Sequence, residues 1–204
     1  MTGIDVSGWQ GVIDWDKART KVVFAFIKAT EGVWVDRQFT RNWHEGYRVG
    51  VRRGAYLFYR ANVDPGQQAR TMLDALAGDY GELPIIVDLE DEEHASPWNT
   101  SQIAGLRWCL DLLEKFSGKT PIIYTRKYWF DPYIGNVTWA ARYPLWVANY
   151  TYDPAVVPLM PASWKTWAYY QWSNKGIGAD YGVQSEMVDL DIEAARVYIP
   201  CVGV

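Results

Sequence analysis

Short apolar runs alternate with stretches of helical periodicity along most of this chain. Eight runs are rich in β-branched and aromatic residues and are mostly bounded by Gly, Pro, Asn or Asp, which predicts strands. They are GIDVSG (3–8), VVFAFIKAT (22–30), RRGAYLFYR (52–60), PIIVDLE (84–90), TPIIYT (120–125), YPLWVANY (143–150), TWAYYQWS (166–173) and EMVDLDI (186–192). Helix patterns lie between several of them. Residues 36–49 set Phe39, Trp43 and Tyr47 at helical spacing, and 67–77 place Ala69, Met72, Leu73 and Leu76 on one face. Residues 99–117 follow a cap at Asn99 or Thr100 with Ile103, Leu106, Leu110 and Leu113. The connections at 126–142 and 151–165 are broken by Pro, Gly and aromatics and are expected to be irregular.

Strands alternating with helices predict a parallel sheet. Eight strands within 204 residues predict a closed barrel, compact beside the roughly 250 residues typical of that architecture. The expected fold class is therefore α/β, a TIM-like (β/α) barrel with eight strands and fewer helices. Residues 1–204 are expected to form a single catalytic domain, with no linker, repeat or low-complexity segment. A doubly wound open sheet is the alternative. Its nucleotide signatures, GxGxxG or GxxxxGK[ST] after the first strand, are missing.

Composition narrows the function. The chain is 49% hydrophobic and 22% charged, with a net charge of −4, so nucleic acid is not expected as a partner. No run approaches the roughly 20 apolar residues of a membrane span, and no membrane association is expected. The opening MTGIDVSGWQ lacks the basic and apolar regions of a secretory signal. Cys109 sits in an apolar helical stretch and reads as a buried thiol. A disulfide to the distant Cys201 has no support in the sequence. The 12 Trp and 14 Tyr exceed what a core of this size needs, and flat amphipathic rings suit stacking on sugars.

The candidate chemistry lies in carboxylates. PIIVDLEDEE ends in five of them within six residues: Asp88, Glu90, Asp91, Glu92 and Glu93. Residues i and i+2 of a strand share a face, so Asp88 and Glu90 point the same way, at the strand end where barrel active sites are built. Asp189 and Asp191 repeat the pattern in the last strand, and Asp5 sits in the first. In a closed barrel the first and last strands are neighbours and the fourth faces them across the mouth. Asp5, Asp88, Glu90 and Asp189 are thus expected to converge. Glycosidic cleavage needs a proton donor and a second group that stabilises the oxocarbenium-like centre. Glu90, with the longer reach, is the better acid. A Ca²⁺ site is the competing use of the same oxygens, but the spaced D-x-D-x-D-G loop is absent. His44 and His94 belong to no metal-ligand cluster, and Asp91, Glu92 and Glu93 are expected on a solvated rim.

Eight segments in order, GIDVSGWQG-IDW, FAFIKATEG, GAYLFYR, PIIVDLE, PIIYT, LWVANY, YYQWS and VDLD, resemble the glycoside hydrolase family 25 lysozymes, the Chalaropsis-type muramidases. The resemblance runs across nearly the whole chain and is most specific in D-x-S-x-[WH]-Q-G and D-x-E. It implies an irregular α/β barrel that hydrolyses the β-1,4 bond between N-acetylmuramic acid and N-acetylglucosamine in bacterial peptidoglycan. It implies Glu90 as general acid and Asp88 as the group that stabilises the positive centre or orients the substrate's N-acetyl group. Asp5 and Asp189 complete an acidic floor. Tyr56, Tyr124, Trp146, Gln171 and Asp191 are implied as substrate-binding residues. Lys28 and Glu31 are expected to form a local ion pair or loop anchor. The sequence departs from the family at Leu57, where histidine is frequent, and at Tyr170-Gln171-Trp172, where Trp-Gln is usual. No metal or cofactor is expected, and a monomer is. The expected place of action is the bacterial cell wall, reached by secretion or by phage-encoded release through a holin. A non-catalytic wall-binding barrel and another acetamido-sugar hydrolase are the alternatives.

Overall fold

The computed structural model describes residues 1–90 and 96–195. Asp91, Glu92, Glu93, His94 and Cys201 lie outside the described residues. In chain order the strands are β1 (Thr2–Val6), β2 (Phe24–Glu31), β3 (Trp34–Val35), β4 (Arg52–Phe58), β5 (Ile86–Asp88), β6 (Ile122–Thr125), β7 (Leu145–Ala148), β8 (Tyr169–Ile177) and β9 (Met187–Glu193). The helices are α1 (Trp15–Ala18), α2 (Phe39–Arg48), α3 (Pro65–Leu76), α4 (Thr100–Ser117) and α5 (Lys127–Tyr133). Eight strands close a ring in the order β1-β2-β4-β5-β6-β7-β8-β9, sealed where β1 pairs with both β2 and β9. The short β3 folds back on the end of β2 as a hairpin.

The ring is not wholly parallel, as alternation alone predicted. β9 runs antiparallel to both β8 and β1. Residues 178–186 hold only a 3₁₀ turn, too short for the crossover of a dozen or more residues that a parallel return needs. Residues 126–142, expected to be irregular, contain α5 and a 3₁₀ turn at Thr138–Arg142. Burial of Trp129 and Phe130 holds α5 together despite Pro132 near its end. The long helix α4 is bounded as its sequence predicts. Asn99 and Gln102 form a reciprocal capping box, and Gly118 ends the helix in the left-handed region. Tyr47, grouped by spacing with the buried Phe39 and Trp43, is instead exposed and covers the Arg53 guanidinium.

Period-two alternation divides the core in two. Along β2, Ala25, Ile27 and Ala29 face the layer between ring and helices, while Phe24 and Phe26 fill the ring interior. That interior is aromatic: Phe26 and Tyr124 each lie 4.3 Å, centroid to centroid, from Trp146, and Tyr169 closes the base against Phe24 at 5.3 Å. Two glycines make room for it. A Cβ at Gly3 would stand 2.3 Å from the Phe24 ring, and one at Gly54 would stand 2.8 Å from the Phe26 ring. Gly3→Val is therefore expected to lower unfolding free energy by about 1–3 kcal/mol, an overpacking penalty measurable as a reduced urea midpoint with unchanged slope.

Candidate active site

The interior aromatics stop short of the mouth, and polar side chains take over above them. Asp5 of β1, Tyr56 of β4, Asp88 of β5, Tyr124 of β6, Trp146 of β7, Gln171 of β8 and Asp189 of β9 line one cavity of about 300 Å³, joined by Glu90 just past β5. All four candidate catalytic carboxylates and four of the five candidate binding residues thus meet, from seven strands and one strand end. Asp88 stands in register with Phe58 on one side and Tyr124 on the other.

Asp191 is the exception. Because β9 descends from the mouth, Asp189 pairs with Asp5 at the rim, whereas Asp191 lies two residues deeper, opposite Gly3 and Gln171. It is fully buried, does not line the cavity, and accepts the Trp146 indole N–H at 2.8 Å. Its place is beneath the floor, where it holds the Trp146 indole. Leu57, at the position where the family frequently has histidine, faces the outer core and is fully buried. That position lies between the inward-facing Tyr56 and Phe58, so strand alternation turns it outward.

Gln171 is the hub of the floor. Its amide oxygen accepts the Tyr124 hydroxyl at 2.9 Å, and its amide nitrogen donates to Asp5 at 2.7 Å and to Asp189 at 3.3 Å. One buried amide therefore holds two carboxylates and a phenol in fixed relation. Asp88 is provided for differently. Among the described residues its Oδ1 is buried and has no hydrogen-bond partner. A buried, unpaired carboxylate oxygen costs free energy in the folded state unless a bound group partners it; Asp191 Oδ2, deeper in the floor, is likewise unpaired among the described residues.

Crowding and burial raise proton affinity throughout the cluster. Burial pushes Asp5 well above the usual carboxylate range, reinforced by Asp189 and Asp191 and opposed by the Gln171 amide. Burial raises Asp88 likewise, with Glu90 adding to it and Lys28 opposing. Glu90 is raised by burial and by Asp189 against the pull of Arg126 and Lys28. Asp191 is held high by burial and Asp189, and Asp189 itself is pushed up to about 6 by burial. Such a set can hold some members protonated and others ionised near neutrality. Each raised carboxyl binds its proton more tightly folded than unfolded. Its contribution to stability is complete below the unfolded value of about 4 and is lost as pH rises through the folded value, about 6 for Asp189. Asp189→Asn should therefore shrink the fall in urea midpoint between roughly pH 4 and pH 7. An undiminished fall would show that this carboxyl is not raised.

Further residues reach the cavity: Ser7, Trp9, Gln10, Lys28, Phe58 and Tyr150. Parity identifies two of them, since Lys28 continues the inward series Phe24, Phe26 and Phe58 follows Tyr56 at i+2. Lys28 does pair with Glu31, at 2.5 Å, and Arg60 holds the other Glu31 oxygen. The expected anchor is present, but its lysine also presents a buried cation to the acid pair. Ser7 and Gln10 form a capping box that fixes the turn carrying Trp9.

Comparison with known proteins gives a single direction. The family model of glycosyl hydrolases family 25 matches residues 4–181. Lysozyme M1 of Streptomyces globisporus is 32% identical over 86% of this chain, which spans 63% of that protein's length. The N,O-diacetylmuramidase of Chalaropsis sp. is 25% identical over 95% of this chain and 96% of its own. The crystal structure of a bacterial lysozyme from Streptomyces coelicolor superposes with a TM-score of 0.82 at 27% identity, covering 96% of this chain and 92% of that one.

Proposed function

The chain belongs to glycosyl hydrolases family 25, and on that premise we propose that it is a peptidoglycan hydrolase acting on the β-1,4 bond between N-acetylmuramic acid and N-acetylglucosamine. One observation carries the reading. Asp5, Asp88, Glu90 and Asp189 line an open cavity, each with its proton affinity raised, and Asp88 keeps an oxygen without a partner among the described residues. Binding a neutral sugar does not need so costly an arrangement, whereas protonating a leaving oxygen does. The names lysozyme and N,O-diacetylmuramidase carried by relatives point the same way.

In this reading Glu90 donates the proton to the departing glycosidic oxygen. Asp88, at the same strand end, faces the positive centre that develops as the bond breaks, either stabilising it or orienting the substrate's N-acetyl group as internal nucleophile. Asp5 and Asp189, held by Gln171, form the acidic floor, and Asp189 adds to the burial that raises the proton affinity of Glu90. Tyr56, Tyr124 and Trp146 bound the sugar's position. The chain serves as one catalytic domain, acts as a monomer on the bacterial cell wall, and reaches it by secretion or by phage-encoded release. Purified protein should clear a suspension of bacterial walls and release soluble reducing sugar. Retention on the wall with no release would mark a binding barrel instead.

A further inference from the structure

A second depression, of about 410 Å³, adjoins the acid cavity and shares Trp9 and Lys28 with it. Two indoles dominate its lining. Trp9 is 84% and Trp34 76% exposed, values far from the usual burial of so large an apolar side chain. Neither indole is carried on a loose loop. The Trp9 backbone N–H donates to Ser7 Oγ, and the neighbouring Gly8 is tied on both sides: its N–H donates to Asp36 Oδ2 at 2.9 Å, and its carbonyl accepts from Arg37 Nη2 at 2.9 Å. Trp34 is paired across the β2–β3 hairpin with Glu31, whose carboxylate is clamped by Lys28 and Arg60. The hairpin is a continuation of β2 above the ring, so Trp34 stands outside the acid cavity on an extension of the barrel wall.

The cleft therefore offers two preorganised flat apolar faces with Lys28, Glu31 and Arg37 around them. That is the surface complement of a pyranose, which has C–H faces and a polar rim of hydroxyl and acetamido groups. Stacked nucleobases also suit exposed indoles, but the chain carries a net charge of −4 and the adjoining cavity is acidic, which repels a polyanion. A polymeric sugar bound at the acid cavity has to leave it through an open side, and this cleft is continuous with it. We propose that the Trp9–Trp34 cleft is a further saccharide subsite, holding the glycan strand beyond the sugars that flank the scissile bond. The proposal rests on reading the acid cavity as the site of glycan cleavage.

The test compares the unaltered protein and Trp34→Ala on peptide-free peptidoglycan strands of graded length. The expected result is a loss of kcat/KM that grows with length, reaching about five- to tenfold on long strands and lying mostly in KM, with Trp34→Phe restoring most of it. Equal loss at every length, or no loss on long strands, would overturn the proposal. Loss confined to strands that keep their stem peptides would also overturn it, assigning the cleft to peptide. Calorimetric titration of Glu90→Gln against Glu90→Gln/Trp34→Ala with a long peptide-free strand gives a readout independent of turnover. A weaker Kd in the double variant is expected, and an unchanged Kd sinks the subsite. If no strand is cleaved by the unaltered protein, the catalytic reading fails while the titration still decides the cleft.

Discussion

Glu90→Gln is expected to lower kcat on peptidoglycan by about 10²–10⁴-fold, the usual worth of a positioned general acid, while leaving the unfolding free energy within about 0.5 kcal/mol of its former value. The amide keeps the shape of the side chain and can still donate a hydrogen bond, but it cannot surrender a proton to a leaving oxygen. The environment of Glu90 suits the part. Its carboxyl is largely removed from water at the mouth of the ring, and burial is the first cause of its raised proton affinity. Asp189 adds to that affinity, whereas Arg126 and Lys28 reduce it. The alkaline limb of the activity profile should follow. Asp189→Asn removes a charge that favours protonated Glu90 and should move the limb to lower pH; Lys28→Met removes an opposing cation and should move it to higher pH. Residual activity of Glu90→Gln within a few-fold of the starting level would remove Glu90 from the acid's role.

Asp88→Asn is expected to show opposite effects on rate and stability. Activity should fall by about 10²–10³-fold, the scale of losing one preorganised electrostatic contact to a developing charge. Stability should rise, because the variant removes a buried carboxyl that burial and Glu90 hold far above its usual proton affinity. Among the described residues nothing donates to its buried Oδ1, so no hydrogen bond is lost there on substitution. A group retained at a cost to the fold and needed for turnover is the signature of a site residue. Kinetics on purified peptidoglycan beside urea titrations at one pH would read both effects. Lower activity with lower stability would instead make Asp88 a structural residue.

Much of this site is legible in the chain because it obeys period two. Asp88 and Glu90 share a face by spacing alone, and ring closure brings Asp5 opposite Asp189. Parity also separates the inward Phe24, Phe26 and Lys28 from the outward Ala25 and Ile27. What eluded spacing depended on strand direction and on contacts between distant segments. Alternation of strands and helices says nothing of the final hairpin and so does not predict the descent of β9. That descent decides which of Asp189 and Asp191 faces the cavity. The Gln171 hub joins four strands through one side chain, and no local pattern encodes such a meeting. Trp9 and Trp34 are exposed aromatics on a 3₁₀ turn and a two-residue strand, and their neighbourhood depends on the tie between Gly8 and the Asp36–Arg37 segment. Pro132 concealed α5 because breaker residues argue against helices, and only the burial of Trp129 and Phe130 overrides that preference.

The bond that is cut states the central claim most directly. Purified peptidoglycan digested by the protein, reduced with borohydride and resolved by mass spectrometry should yield fragments whose new reduced ends are N-acetylmuramitol. Fragments ending in N-acetylglucosaminitol would place the cleavage at the other glycosidic bond and contradict the account.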